Sequence, residues 1–137
     1  MEKPNIFNKS EKLECSCCGK DLFEDIKSSM VIIATDNENN IVSVKPCCKG
    51  KCDKAIISNL PKNSDDGWKE LYTFVNPYLY LKHTMAMFNK MYEGKKFMNE
   101  ESFENYKQIL LCAAPYVMRD LTNGEKESAS LDDMIPF

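Results

Sequence analysis

The chain has 137 residues, of which 43% are hydrophobic, and a formal net charge of −3. This length allows one ordinary domain, or a small metal-stabilised module joined to a helical region, and it excludes a large enzyme core. The mild negative charge excludes a globally basic nucleic-acid binder but leaves room for a local basic patch.

Seven cysteines are many for a chain of this length. The amino-terminal residues contain no apolar run typical of a signal peptide, and no stretch of about eighteen apolar residues occurs anywhere. We therefore expect a cytoplasmic protein without a membrane segment. In a reducing compartment, an odd number of clustered cysteines indicates metal ligands rather than disulfides.

Residues 1–62 predict a zinc-binding β-hairpin module. Cys15-x-x-Cys18-Gly19 has the spacing by which a tight turn directs two sulfur atoms at one ion. Two β-branched runs, 30–35 and 41–45, follow and are separated by a turn-rich segment, which predicts a hairpin. A second cysteine cluster comes next, and "DKAIISNL" after Cys52 predicts two helical turns.

This order of knuckle, hairpin and helix over residues 12 to 60 resembles the treble-clef zinc finger, with the zinc ribbon as a close variant. The resemblance implies a structural Zn²⁺ held by four thiolates, while Cys17 and Cys47 are adjacent alternatives. Treble-clef nucleases need a histidine on the hairpin, whereas His83, the only histidine of this chain, lies outside it. The predicted ligands are Cys15, Cys18, Cys48 and Cys52.

Lysines surround the second cysteine cluster, with only Asp53 opposed to them. Such a local positive charge is suited to phosphate contacts, although a solvated lysine rim explains it equally well. The predicted nucleic-acid contacts are Lys45, Lys49, Lys51, Lys54, Tyr78 and Tyr80. The two tyrosines are included because both cannot face one core from the same helix.

Residues 63–122 predict a helical region of about three α-helices. The first covers 64–76, with Trp68, Leu71, Tyr72 and Val75 on one side. The second begins at Pro77 and ends at Gly94. The third has Asn99 as its N-cap and ends before Gly124. The second helix is expected to bury a core stripe that consists of Leu81, Met85, Phe88 and Tyr92.

Residues 123–137 predict a flexible acidic tail, because they show no sustained periodicity and are rich in Glu, Ser and Asp. The final six residues, "DDMIPF", resemble the C-terminal tip of bacterial single-stranded DNA-binding proteins. In that family the tip docks on replication, recombination and repair enzymes. The resemblance implies partner docking through Asp132, Asp133, Ile135, Pro136 and Phe137.

The sequence therefore predicts an α+β protein: a small Cys₄ zinc-binding hairpin module, about three helices and a tail. Its expected function is non-enzymatic. It would bind single-stranded DNA and recruit host DNA replication or repair proteins, with a phage or mobile element as its expected origin. Two alternatives are a protein-interaction module or inhibitor that mimics the tip without binding DNA, and a zinc-finger transcription regulator. No phosphate loop, nucleophile elbow or paired-histidine motif indicates an enzyme.

Overall fold

The structure is a computed structural model that describes residues 12–118 and 122–130. These residues form a three-stranded antiparallel sheet and five α-helices, which confirms the α+β class. The strands are β1 (Ser29–Thr35), β2 (Ile41–Cys48) and β3 (Asp65–Glu70). The helices are α1 (Cys52–Ser58), α2 (Tyr72–Val75), α3 (Pro77–Tyr92), α4 (Glu100–Val117) and α5 (Asn123–Ser130).

The predicted hairpin is confirmed as β1 and β2. The two strands pair antiparallel in a register that places Ile33 opposite Val44. Asn39, with φ 66°, supplies the left-handed residue that the turn requires. The carboxylate of Asp36 accepts hydrogen bonds of 2.9 Å from the backbone amides of Glu38 and Asn40, so the turn is held by its own first side chain.

The predicted helix over 64–76 is wrong for most of its length. Residues Asp65–Glu70 instead form β3, which pairs with the free edge of β1 and gives the strand order β2-β1-β3. Only Tyr72–Val75 are helical. The pairing places Trp68 opposite Ile32, at the edge of the sheet, where 53% of its surface is exposed. Backbone hydrogen bonds between this segment and β1 outweigh the segment's weak preference for a helix.

The second predicted helix is confirmed as α3, and Gly94, with φ 88°, follows its end. Its predicted core stripe is wrong, because all four side chains are exposed. The half-buried face of α3 carries Tyr80, His83, Met87 and Met91 instead. Therefore α3 packs on the rest of the chain through the face that the sequence assigned to solvent.

Helix α4 begins where the sequence predicts, because the Asn99 side chain accepts a hydrogen bond from the amide of Ser102 at 2.8 Å. The amide groups of Asn99 and Asn105 also donate to the carbonyls of Val42 and Val44 on β2, at 2.9 and 2.8 Å. Residues 96–98 continue this contact, since the amide of Ile41 donates to the carbonyl of Lys96 and the amide of Met98 donates to the carbonyl of Ile41. These hydrogen bonds therefore hold the first turns of α4 against β2.

One cluster of buried side chains joins the cysteine-containing half of the chain to the helices. It extends from Leu13 and Leu22 through Val31 and Ile32 to Phe74 and Ile109. Strand β1 is buried on both faces over Met30–Ile32, as expected for the central strand of a covered sheet. In the segment predicted as a tether, residues 123–130 form α5.

Candidate metal centre

The first two cysteines of the candidate site lie in a tight turn that precedes the first 3₁₀ helix (Leu22–Glu24). A bridge between Glu14 and Asp21 closes the base of the turn, and Gly19 accommodates its positive φ of 79°. The amides of Cys17 and Cys18 donate to Cys15 Sγ at 3.4 and 3.5 Å. These donors favour a thiolate at Cys15 and orient it before any ion binds.

The other two cysteines come from the end of β2 and the start of α1. Cys48 is the last residue of β2, and Cys52 is the first residue of α1. Gly50, with φ 95°, allows the chain to reverse between them. The three-residue spacer is one residue longer than in the usual knuckle, yet it returns Cys52 to the same cluster.

The four sulfur atoms of Cys15, Cys18, Cys48 and Cys52 all lie within 4.8 Å of one another. Cys18 Sγ and Cys48 Sγ are 3.8 Å apart. A tetrahedral site with metal–sulfur bonds of about 2.3 Å has sulfur–sulfur edges of about 3.8 Å, so this separation fits a shared ion. The predicted ligands are therefore brought together at a distance that allows metal binding.

The pKa values of the thiols differ according to their surroundings. Burial opposes ionisation of Cys15, but the amides of Cys18, Cys17 and Cys48 outweigh it and lower its pKa to about 6. Burial raises the pKa of Cys48 to about 11, with the neighbouring Cys18 and Cys15 adding to the shift. Burial likewise raises the pKa of Cys52. Because a metal ion binds the thiolate form of cysteine, a bound cation would offset the burial that opposes ionisation of Cys48 and Cys52.

The remaining cysteines lie outside the cluster. Cys17 is exposed and Cys47 is fully buried, although each is adjacent to a ligand in sequence. Successive residues of a strand point to opposite faces, so Cys47 faces the core when Cys48 faces the cluster. Burial raises the pKa of Cys47 to about 12. Cys112 is buried on α4, as its apolar surroundings in the sequence predict.

The four predicted lysine contacts divide into two pairs. Lys45 forms an ion pair with Glu101, and Lys49 forms one with Glu70. Lys51 and Lys54 are exposed at the start of α1 and form no ion pair within the described residues. Any phosphate contact by Lys45 or Lys49 would first require these carboxylates to be displaced, which does not apply to Lys51 and Lys54.

The two predicted tyrosine contacts also differ. Tyr78 is exposed near the start of α3. Tyr80 is half-buried, and its hydroxyl donates to the carbonyl oxygen of Leu110 at 3.3 Å. Tyr80 is therefore engaged in the contact between α3 and α4. Both tyrosines lie on α3, which packs against α2, whereas the lysines lie on β2, α1 and the loop between them.

The sequence did not predict that Trp68 is an exposed aromatic side chain. It assigned Trp68 to a helix core, but the register places Trp68, Ile32 and Lys45 side by side across the three strands. Directly opposite residues share a sheet face. A signal against the helix was Gly67, because an isolated glycine inside a helical pattern is unfavourable for a helix.

The predicted docking residues Asp132, Asp133, Ile135, Pro136 and Phe137 lie outside the described residues. Across 12–118 and 122–130, every helix is too short or too polar to cross a membrane. The chain matches no family model, no curated protein and no solved structure.

Proposed function

We propose that the chain is a non-enzymatic accessory protein of DNA metabolism, stabilised by zinc, that binds single-stranded DNA and docks on replication or repair enzymes. The observation that carries the proposal is the four-thiol cluster with the exposed Lys51 and Lys54 beside its fourth ligand. Cys52 begins α1, so an ion bound there fixes the helix that carries Lys54 and the loop that carries Lys51. The metal would organise the DNA contact without taking part in chemistry.

Zinc is the metal that these donors fit best. Four thiolates in a tetrahedron are typical of structural zinc, with iron–sulfur centres as the other common occupant of such donor sets. A closed Cys₄ site leaves no position for a reacting water molecule, which supports a structural role. Four thiolates around Zn²⁺ carry a net charge of −2, so nearby lysines also stabilise the site electrostatically.

The DNA contact of this proposal is small. With Lys45 and Lys49 held in ion pairs, two of the four predicted lysine contacts remain for phosphates. The logarithm of the binding constant should then fall with the logarithm of salt concentration with a slope of about −1.4, from a coefficient of about −0.7 for each phosphate. Such binding is weak unless several copies or a second contact contribute.

The docking function rests on the terminal sequence. The apolar Ile135 and Phe137 suit a pocket on a partner, Asp132 and Asp133 suit a basic ridge, and Pro136 reduces the entropy lost on binding. This recognition is independent of the metal site. It is therefore tested separately.

The DNA contact is tested by electrophoretic mobility shift with a labelled single-stranded oligonucleotide at low salt. The variant K51A/K54A should lose the shift, whereas K62A/K96A, which removes two other exposed lysines, should keep it. A duplex of the same sequence is the control for a transcription regulator. If the unchanged chain shifts neither nucleic acid, direct DNA binding is refuted and the interaction-module alternative remains.

The docking function is tested by capture of a DNA-processing enzyme from a bacterial lysate, with the partner identified by mass spectrometry. Phe137→Ala should abolish capture because the aromatic anchor is lost, while Met134→Ala, a matched apolar truncation in the same peptide, should retain it. Equal capture by the unchanged chain and by a chain that lacks the last six residues would refute docking through the tip.

A further inference from the structure

Helix α3 exposes a continuous apolar face. No residue of its sixteen is fully buried, and five large apolar side chains are between 43% and 94% exposed. We name these side chains the α3 stripe, which consists of Tyr78, Leu81, Met85, Phe88 and Tyr92. Single exposed apolar side chains scattered over a protein surface are ordinary, but five of them on one face of one helix are not.

The α3 stripe has the spacing of a helix-packing seam. Its members follow one another at intervals of three, four, three and four residues, the a and d positions of a heptad repeat. At about 100° per residue they lie within an arc of about 80°. The opposite face carries Met87, Met91 and His83, which already pack on the chain itself. The stripe therefore points away from the chain's own core.

The apolar area of the stripe fits a small protein interface. Three of its members are aromatic, and a fully covered aromatic side chain buries about 150–250 Å². With the exposures above, the stripe presents about 600 Å², at the upper end of the largest apolar patch on a typical monomer. Two such stripes in contact would cover about 1,200 Å², the lower end of the range for specific complexes.

The charges beside the stripe select an orientation. Lys82 lies near the start of α3 and Glu93 just past its end, both on the same flank of the stripe. The ammonium group of Lys82 is 5.9 Å from the centroid of the Tyr78 ring, which places it at the stripe's border. In an antiparallel pair of helices the same flanks meet, so Lys82 of each copy approaches Glu93 of the other. A parallel pair lacks this complementarity.

We propose that the α3 stripe is the interface of a homodimer in which α3 packs antiparallel against α3 of a second copy. The two-fold axis then passes between Met85 and Phe88, and the same patch serves both copies, as an isologous interface requires. The helices cross at about 20° with their axes about 8–10 Å apart. Because the area is modest, the dimer forms at micromolar rather than nanomolar concentrations.

Sedimentation equilibrium of the full-length, metal-loaded chain over a wide concentration range tests this proposal. The unchanged chain should reach a dimer and no higher species. L81Q/F88Q should raise the dissociation constant at least about tenfold, because two seam residues are lost. I57Q/M118Q removes two exposed apolar side chains elsewhere and should leave it unchanged. Circular dichroism confirms that each variant is folded. A monomer at all concentrations overturns the proposal.

A charge-reversal series distinguishes a second copy from any other occupant of the stripe. Lys82→Glu and Glu93→Lys should each weaken the dimer about two- to fivefold, and K82E/E93K together should restore it, since the pairs are re-formed with exchanged signs. These exposed positions leave the fold of α3 intact. Equal weakening in the double variant overturns the antiparallel pairing. Binding of a monomeric chain to phosphatidylserine vesicles, lost in L81Q/F88Q, overturns the dimer in favour of a lipid surface.

Discussion

The imidazole Nδ1 of His83 lies 2.9 Å from the hydroxyl oxygen of Tyr106 and joins α3 to α4. The ring also packs edge-on against Phe74, with 4.9 Å between the ring centroids. Burial, together with the positive charge of Lys69, lowers the pKa of His83 below its usual value of 6.5. Folding therefore favours the neutral imidazole of His83 over the charged one.

This contact predicts a pH dependence of stability. The unfolded chain binds a proton near pH 6.5, before the folded chain does, so the stabilisation is complete above about pH 6.5 and is lost as the pH falls towards the folded pKa. Urea unfolding of the metal-loaded chain should show a falling midpoint over this range. His83→Gln should be less stable at neutral pH and should flatten the dependence. An equally steep dependence in His83→Gln would contradict this explanation.

The candidate metal centre predicts that Cys52, a member of the cluster at the start of α1, is essential, whereas Cys17, an exposed cysteine of the amino-terminal turn, is not. Cys52→Ser should reduce the metal content well below one ion per chain and destabilise the fold by at least about 3 kcal/mol, because α1 loses its anchor to the turn. Cys17→Ser, which changes an exposed thiol outside the cluster, should retain one ion. Metal analysis and thermal unfolding measure both effects. Removal of the metal from the unchanged chain with a chelator should lower its thermal stability to that of Cys52→Ser.

The strand assignment of residues 65–70 predicts unequal costs for two aromatic truncations. Phe74 is fully buried, so Phe74→Ala should cost about 3–5 kcal/mol. Trp68 is about half exposed on β3, so Trp68→Ala should cost no more than about 1 kcal/mol. Denaturant titration compares the two variants. As the only tryptophan, Trp68 should also be readily quenched by acrylamide in the folded chain, and a shielded Trp68 would contradict the edge strand.

The turn of the hairpin predicts a contribution to stability at low pH. Hydrogen bonds from the amide of Asn40, together with those from Glu38, lower the pKa of Asp36 below its usual 3.8. The stabilisation by this carboxylate is present above the unfolded pKa and is lost as the pH falls through the folded pKa. Asp36→Asn should therefore be less stable at neutral pH and lose less stability on acidification below about pH 4. Glu38→Gln, on the same turn, is the control.

Much of the local structure follows from residue type alone. The β-branched runs on either side of a turn predict β1 and β2, and Asn99 with two glutamates predicts the start of α4. The cysteine spacing predicts which part of the chain holds the cluster. These features depend on interactions between residues close in sequence, such as capping bonds and turn geometry, and such interactions are visible in the sequence itself.

The exclusion of the adjacent alternative required the three-dimensional structure. The sequence predicts Cys48 as a ligand but leaves Cys47 as a possible substitute, and the alternation of side chains along β2 decides between them. Which of the two cysteines faces the core depends on the register of β2 with β1, in which Met30 lies opposite Cys47. Register is fixed by packing over the whole sheet rather than by the neighbours of either cysteine.

The sequence by itself determined that α3 is a helix with an apolar stripe, since periodicity and the flanking Pro77 and Gly94 suffice for that. It did not determine that the stripe is exposed. Only the tertiary structure decided that Tyr80, His83 and Met87 face α4 and the core, and that the stripe faces outward. The physical reason is that periodicity shows which side chains share a face, whereas burial depends on contacts with residues distant in sequence.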